Sequence, residues 1–360
     1  MLEDQAHILK KILAVVDEEK PDGVLIAGDV YDKSVPSTEA VQLFDDFLVR
    51  LAKRKLPVFI ISGNHDSPER LSFANRLIDA AGIHLAPVYN GVVEPITHSD
   101  EYGPVNVYML PFIKPAHVRG FFPDTEITGY SDAVAAAIGR MNIDKTQRNV
   151  LITHQFVTGA QRSDSEELSV GGTDNIGAEV FCDFDYVALG HIHGPQNMDS
   201  GRIRYCGSPL KYSFSEAAQQ KSVTVAELKE KGTLEIHTVP LIPRRDMVEL
   251  KGSYQQLTLR EFYENTTYQE DYTHITLTDE EDIPDAVAKL RAVYHNLMKL
   301  DYDNTRTRHS AAISGAENVE TRSPIALFAE FYELQNGLPM SAEQTELVAS
   351  LIEKIWEGEE

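Results

Sequence analysis

Residues 58–66 limit the possible folds of this chain more than any other stretch. The β-branched apolar run at residues 58–61 is typical of a strand buried on both faces, and it leads through a glycine into Asn64, His65 and Asp66. Comparable apolar runs recur at residues 23–28, 105–110, 149–153 and 186–189, and amphipathic helices are predicted at residues 2–19 and 37–53 and from residue 67. This alternation predicts an α/β protein with a parallel, doubly wound sheet that helices cover on both faces.

The chain is predicted to have three parts. Residues 1–240 are expected to form the α/β domain, 241–320 a small α+β domain, and 321–360 a pair of C-terminal helices. The first boundary rests on the two prolines at positions 240 and 243. Further predicted elements are an antiparallel strand pair at 222–227 and 233–239, strands at 247–250 and 274–277, a helix at 284–298, a polar linker at 301–322, and amphipathic helices from residue 324 and at 342–356.

Bulk composition excludes some classes of protein. The 360 residues are 42% apolar and 25% charged, as in ordinary globular proteins, and no apolar run approaches the length of about 18 residues that a membrane span requires. The two cysteines and the absence of a signal-peptide pattern predict a reducing, cytoplasmic location. The net charge of −23 argues against a protein that coats nucleic acid by bulk electrostatics. It does not exclude an enzyme that holds a phosphate backbone through metal ions and local basic residues.

Ligand-type side chains stand at the ends of four predicted strands: Asp29, Asn64 with His65, His154, and His191 with His193. Carboxylate and amide oxygens bind hard divalent cations, and imidazole suits manganese, iron and zinc. Taken singly, most of these residues are as readily explained as caps, turns or satisfied core side chains. Strand ends in α/β sheets converge where ligands bind, so the whole set predicts a metal site. Asp66 is expected to be a turn residue or a carboxylate that orients His65.

Six ordered motifs carry a resemblance to a known family. Four are Gly28-Asp29-Val30-Tyr31-Asp32, Gly63-Asn64-His65-Asp66, Thr153-His154 and Gly190-His191-Ile192-His193. They are similar to the motifs of the calcineurin-like metallophosphoesterases. The other two are Gly207-Ser208-Pro209-Leu210-Lys211-Tyr212-Ser213-Phe214 and Ser323-Pro324 with Leu327-Phe328-Ala329-Glu330-Phe331-Tyr332. They resemble the SbcD branch, the nuclease subunits of SbcCD double-strand-break repair complexes.

The resemblance implies a fold and a set of roles. The fold would be a sheet sandwich flanked by helices, and the reaction a two-metal hydrolysis of phosphodiesters with Mn²⁺, or less effectively Mg²⁺. Asp29 would bridge the two ions, and His193 would serve the first. Asn64, His154 and His191 would complete the second site. His65 would contact the scissile phosphate, and His65 and Asp66 are the expected catalytic residues.

The resemblance also implies substrates and partners. The activity would be that of an exonuclease on double-stranded DNA ends and an endonuclease on single strands and hairpins, in double-strand-break repair and recombination. The partner would be a coiled-coil ATPase of the SbcC type, with a homodimer of this chain inside a heterotetramer and no membrane partner. Residues 1–240 would be the nuclease domain, 241–320 would cap the DNA, and 321–360 would dock the ATPase. The alternatives are a phosphodiesterase for small substrates, a non-catalytic scaffold, and helices that pack on the chain's own core.

One motif of the calcineurin-like metallophosphoesterases is missing from this sequence. The family begins with a strand that ends in Asp-x-His, whose side chains bind the first metal, and no Asp-x-His precedes Asp29. We expect that the N-terminal strand is absent from this sequence and that the first metal would keep only Asp29 and His193. The expected consequence is one reasonably intact metal site and weak or absent activity.

Overall fold

The computed structural model describes residues 2–72, 78–166, 174–305, 307, 324–336 and 339–357. These fall into two compact units, Met1–Asp246 and Met247–Glu360. The helices are α1 Leu2–Glu19, α2 Thr38–Ala52, α3 Pro68–Leu71, α4 Pro115–Arg119, α5 Tyr130–Gly139, α6 Tyr254–Thr258, α7 Arg260–Tyr263, α8 Ala286–Arg291, α9 Pro324–Asn336 and α10 Ala342–Glu357. The strands are β1 Val24–Ala27, β2 Val58–Ile61, β3 Ile83–Ala86, β4 Ile96–Asp100, β5 Gly103–Leu110, β6 Arg148–His154, β7 Phe156–Val157, β8 Asn175–Ile176, β9 Tyr186–Gly190, β10 Gln196–Met198, β11 Ile203–Tyr205, β12 Ser222–Leu228, β13 Leu234–Pro240, β14 Met247–Gly252, β15 Tyr272–Leu277 and β16 Asn296–Tyr302.

The first unit contains two main sheets that face each other. One is parallel, in the order β1-β2-β3, and the other is mixed, in the order β10-β11-β9-β6-β5-β4, with antiparallel strands at its two edges. Phe59 and Ile61 from the first sheet share one buried cluster with Val107 and Ile152 from the second. The sheet sandwich is therefore confirmed, whereas the single doubly wound sheet is wrong. Strands that are apolar on both faces do not reveal to which of two sheets they belong.

Helices cover the outer face of each sheet. The face of the parallel sheet packs on α1 and α2, where Leu13 and Leu51 are buried against Ile60. The mixed sheet packs on α5, where Val134 and Ala137 join its main cluster. The predicted strand pair near residues 222–239 is present as β12 and β13, but it forms a two-stranded sheet of its own. The helices that cover the sandwich thus use apolar stripes that are visible in the sequence.

The second unit is built on the parallel sheet β14-β15-β16. Leu257 of α6, Leu290 of α8 and Leu277 of β15 are fully buried in its core. The predicted helix at 284–298 is wrong after Arg291, because the chain turns at buried Tyr294 and continues as β16. Pairing with β15 outweighs local helix propensity there. The predicted linker at 301–322 begins inside β16, and most of it lies outside the described residues.

The C-terminal helices α9 and α10 are present as predicted. Gln344 of α10 donates from Nε2 to the hydroxyl of Tyr332 on α9, at 2.9 Å. Among the helices in the described part of the chain, none has the length and the apolar character that crossing a membrane would require.

Candidate metal centre

The centre forms where β1 and β2 of one sheet end beside β6 and β9 of the other. Gly28 follows β1 with a φ of +86°, and Asp29 itself has a φ of +45°, which is unusual for a residue with a side chain. A β-carbon at Gly28 would lie 2.5 Å from Nδ1 of His154, and one at Gly63 would lie 2.0 Å from Oδ1 of Asp29. Only glycine at these positions allows the strand ends to approach so closely.

Four predicted ligands meet at this point. The donor atoms of Asp29, His154 and His191 all lie within 4.8 Å of one another. Nε2 of His154 lies 3.1 Å from Oδ2 of Asp29 and 3.0 Å from Oδ1 of Asn64. Nδ1 of His191 lies 3.0 Å from the same amide oxygen. A carboxylate, an amide oxygen and two imidazole nitrogens therefore face a common space, which is a donor set that a divalent transition metal prefers.

The backbone determines which nitrogen of His154 faces this space. Its Nδ1 donates to the carbonyl oxygen of Ala27 at 2.7 Å, so Nδ1 carries a proton and Nε2 is the nitrogen that could bind a metal ion. The ring is 1% exposed, and the rings of His191 and Phe112 pack against it with centroids at 5.2 and 6.1 Å. His191 has a φ of +92°, a second strained backbone position at the site. The hydrogen bond and the ring packing thus fix the orientation of His154.

Burial and the charges of neighbouring groups shift the pKa values of the predicted ligands. Burial would raise the pKa of Asp29, but the charge and hydrogen bond of His154 outweigh it and hold that pKa at about 2. Burial would lower the pKa of His154, but the carboxylate of Asp29 raises it overall. Burial and the neighbouring His154 lower the pKa of His191 to about 3. Near neutral pH the centre therefore offers an anionic carboxylate and a neutral His191, which suits a divalent cation.

His65 and Asp66 lie beside the ligands in different roles. The backbone N–H of His65 donates to Oδ1 of Asp29 at 3.0 Å, and its Nδ1 donates to the carbonyl oxygen of Asp32 at 3.0 Å. The ring is therefore oriented by Asp32, and the expected orientation by Asp66 is not found among the contacts of these described residues.

Asp66 instead joins the two loops that carry the ligands. Its carboxylate accepts the backbone N–H groups of Val30, Tyr31 and Gly63 at 3.1, 3.0 and 2.9 Å. Burial raises the pKa of Asp66, although these three bonds favour its ionised form. Because the bonds come from both strand ends, Asp66 fixes the loop after β1 to the loop after β2.

His193 lies outside the group of closely spaced donors. Its Nδ1 lies 2.7 Å from Oγ of Ser165 and 3.4 Å from Oε1 of Glu216. Neither Ser165 nor Glu216 is marked by strand periodicity: Ser165 falls in the segment 158–176, whose polar composition predicts one long functional loop. Only part of that segment is described; its last two residues form β8, which pairs with β7, the strand directly before the segment.

Comparison with known proteins yields two matching families. The model of the calcineurin-like phosphoesterases matches residues 2–195. A model of the SbcD C-terminal family, described as "Type 5 capsule protein repressor C-terminal domain", matches residues 243–336.

Two full-length relatives carry the same name. The SbcD subunit of nuclease SbcCD from Staphylococcus epidermidis is 31% identical over 100% of this chain and 95% of its own. Its counterpart from Staphylococcus saprophyticus is 30% identical over 99% of this chain and 94% of its own. The solved structure of TT1561 from Thermus thermophilus is similar over 65% of this chain and 94% of that one, with 14% identity and a TM-score of 0.37.

Proposed function

Because this chain belongs to the calcineurin-like phosphoesterases, and among them to the SbcD family, we propose that it is a metal-dependent DNA nuclease. The observation that carries the proposal is the convergence of Asp29, Asn64, His154 and His191 from four strands on one space. A phosphodiester bond is hydrolysed readily where divalent cations neutralise the charge that develops on phosphate. This donor set fits such cations, and the family match supports phosphodiesters as the substrate class.

Manganese is the proposed metal, with magnesium as a weaker substitute and two ions as the proposed number. Asp29 would be shared by both ions; its Oδ2 lies 3.1 Å from Nε2 of His154, and its Oδ1 accepts the backbone N–H of His65. Asn64, His154 and His191 would hold one ion, and His193 would hold the other together with Asp29. When bound, the ions supply Lewis-acid activation of the phosphate and of the attacking water.

Two of the chain's own residues have proposed roles beside the substrate. The bond from Nδ1 of His65 to the Asp32 carbonyl leaves Nε2 to contact the scissile phosphate. In its protonated form the ring donates from Nε2 to an oxygen of that phosphate and stabilises the charge that forms there. Asp66 contributes by keeping the loops of Asp29 and Asn64 together. Asp66 would therefore support catalysis by positioning Asp29 and Asn64.

The remaining parts of the chain are proposed to handle DNA and the partner. The domain at residues 241–320 would help seat DNA, so that the protein acts as an exonuclease on duplex ends and an endonuclease on single strands and hairpins in repair and recombination. The helices α9 and α10 expose Phe328, Phe331, Leu347 and Leu351, each at least 42% exposed. An apolar surface of this kind would dock a coiled-coil ATPase of the SbcC type, in an assembly with two copies of this chain.

Cleavage of linear duplex DNA in the presence of Mn²⁺ tests the proposal. Because the Asp-x-His motif is missing, we expect at most weak cleavage by the unaltered chain, none after chelation, and none by Asp29→Asn or His154→Ala. His237→Asn is the matched control, since that histidine is 56% exposed and pairs with Glu19 away from the centre. Cleavage that persists in Asp29→Asn would contradict the proposal. Turnover of a chromogenic diester without any cleavage of DNA would instead indicate a phosphodiesterase for small substrates.

A further inference from the structure

A buried charged pair lies next to His193. Glu216 is 0% exposed and Lys221 is 3% exposed, and Nζ of Lys221 lies 2.6 Å from Oε2 of Glu216. Taking both charges out of water is expensive, and a well-packed apolar pair would stabilise a protein at least as well. The contacts of this pair therefore indicate what it does at this position.

Both members of the pair contact His193. Oε1 of Glu216 lies 3.4 Å from Nδ1 of the ring, and Nζ of Lys221 donates to the backbone carbonyl of His193 at 2.7 Å. Glu166 accepts the backbone N–H of His193 at 2.6 Å, and the ring of Tyr212 packs edge-on against the imidazole at 5.8 Å. The residue is thus held at its backbone N–H, at its carbonyl, at one ring nitrogen and at its ring face.

Ser165 determines where the proton of the imidazole lies. Its hydroxyl lies 2.5 Å from Oε1 of Glu216 and 2.7 Å from Nδ1 of His193. A carboxylate paired with Lys221 only accepts hydrogen bonds, so the serine proton points to Glu216. The serine oxygen must then accept from the imidazole, which places a proton on Nδ1 and the lone pair on Nε2.

We propose that Glu216 is a positioning residue for His193, acting through Ser165 to keep Nε2 unprotonated and correctly oriented for a divalent metal ion. This inference rests on the proposed function, because it takes His193 to be a ligand. Partners that hold the second nitrogen of a metal-binding imidazole typically change metal affinity by about 10- to 100-fold when they are removed. Lys221 supports the same arrangement, since it fixes both Glu216 and the backbone of His193.

Serine variants separate this role from general support of the fold. Ser165→Ala removes the hydroxyl between Glu216 and His193, and Ser165→Thr keeps it. Ser213→Ala is the matched control, because Oγ of Ser213 also donates to Oε1 of Glu216, at 3.3 Å, without a bond to His193. Glu216→Gln keeps the shape of the side chain and removes its charge. If Glu216→Gln fails to fold, the serine variants are sufficient to test the proposal.

Two measurements are made on the full chain. Nitrogen-15 NMR of the metal-free protein reports the protonated nitrogen of His193, with His193→Gln used for assignment. Titration with Mn²⁺ alone reports the affinity of each site. We expect the proton on Nδ1 in the unaltered chain, and about 10- to 100-fold weaker binding of one ion in Ser165→Ala and Glu216→Gln. Ser165→Thr and Ser213→Ala should remain close to the unaltered chain.

The outcomes distinguish this inference from the function on which it rests. An unaltered chain that binds Mn²⁺ while Ser165→Ala binds it equally well would overturn the positioning role alone. So would a proton found on Nε2 of His193 in the metal-free protein. An unaltered chain that binds no Mn²⁺ at all would overturn the proposed function, and the inference with it.

Discussion

The backbone of Gly190 lies so close to Ala27 that a β-carbon at position 190 would come within 1.8 Å of the Ala27 carbonyl oxygen. That carbonyl belongs to the parallel sheet and Gly190 to the mixed sheet, so the two sheets touch beside the predicted ligands. The same oxygen accepts a hydrogen bond from Nδ1 of His154. A change at this contact should therefore affect the metal centre directly.

Gly190→Ala is expected to separate the strand ends and weaken Mn²⁺ binding. The added methyl group would also meet Nδ1 of His154 at 2.6 Å, and overpacking of this kind destabilises proteins by about 1–3 kcal/mol. Gly139→Ala is the control, since a β-carbon there has nothing within 4 Å among the described residues. The measurement is a Mn²⁺ titration of both variants together with their unfolding by urea. Equal Mn²⁺ affinity in Gly190→Ala and the unaltered chain would contradict the proposed geometry.

Lys221→Met is expected to lower the free energy of unfolding by about 3–5 kcal/mol, because it leaves the buried charge of Glu216 without its cation. The double variant Glu216→Gln with Lys221→Met should recover part of this loss, since neither charge remains. Denaturant unfolding of the two single variants and the double variant measures the coupling. Strictly additive losses would show that the two side chains do not act as a pair.

The ion pair between Asp100 and Arg148 is expected to make the stability of the protein depend on pH. The hydrogen bonds from the guanidinium of Arg148, which is 2% exposed, lower the pKa of Asp100 below its ordinary value of 3.8. The pKa of Asp100 is lower in the folded protein than in the unfolded chain, so the pair stabilises the protein at pH values above the pKa of the unfolded chain. This contribution is lost as the pH falls through the pKa of the folded protein.

Asp100→Asn should therefore lower the free energy of unfolding near pH 7 by about 1–2 kcal/mol. This is the contribution of a hydrogen bond between charged groups, reduced because the side chain of Asp100 is partly exposed. The difference from the unaltered chain should stay constant down to about pH 5 and shrink below about pH 4. Asp46→Asn serves as the control, because its pair with Arg50 is exposed on a helix surface. Thermal unfolding across this pH range makes the comparison. A difference that grows on acidification would have the wrong sign for this explanation.

The exposed apolar residues of α9 and α10 form the proposed docking surface for the ATPase. Phe331→Ser and Leu347→Ser should abolish co-purification with a coiled-coil ATPase of the SbcC type, while Mn²⁺ binding by the chain is unchanged. Glu333→Gln on the same helix is a suitable control, since it alters an exposed polar position. Retention of the ATPase by both apolar variants would place the docking surface elsewhere.

The place where the four predicted ligands meet can be predicted from the sequence because each of them follows an apolar strand. Asp29, Asn64, His154 and His191 each end an apolar run, and the carboxyl ends of such strands converge wherever the strands pair. The distribution of these strands over two sheets is not visible in the sequence, since a strand buried on both faces has no polar side that would reveal its neighbour.

Other features depend on contacts that periodicity does not encode. Glu216 and Lys221 lie in a segment with little regular structure, and only the folded chain shows that they are buried together beside His193. The contacts of Asp66 are hidden for a similar reason: its partners are backbone N–H groups, which any sequence offers. The strand Asn296–Tyr302 overlaps a predicted helix because its pairing with β15 outweighs its local preference.

Diffraction from crystals of the full chain grown with Mn²⁺, with data collected at the manganese absorption edge, would locate the bound ions. We expect an anomalous peak surrounded by the carboxylate of Asp29, Oδ1 of Asn64, Nε2 of His154 and Nδ1 of His191. A manganese peak that lies only on other residues, or no peak under conditions in which the chain cleaves DNA, would contradict it.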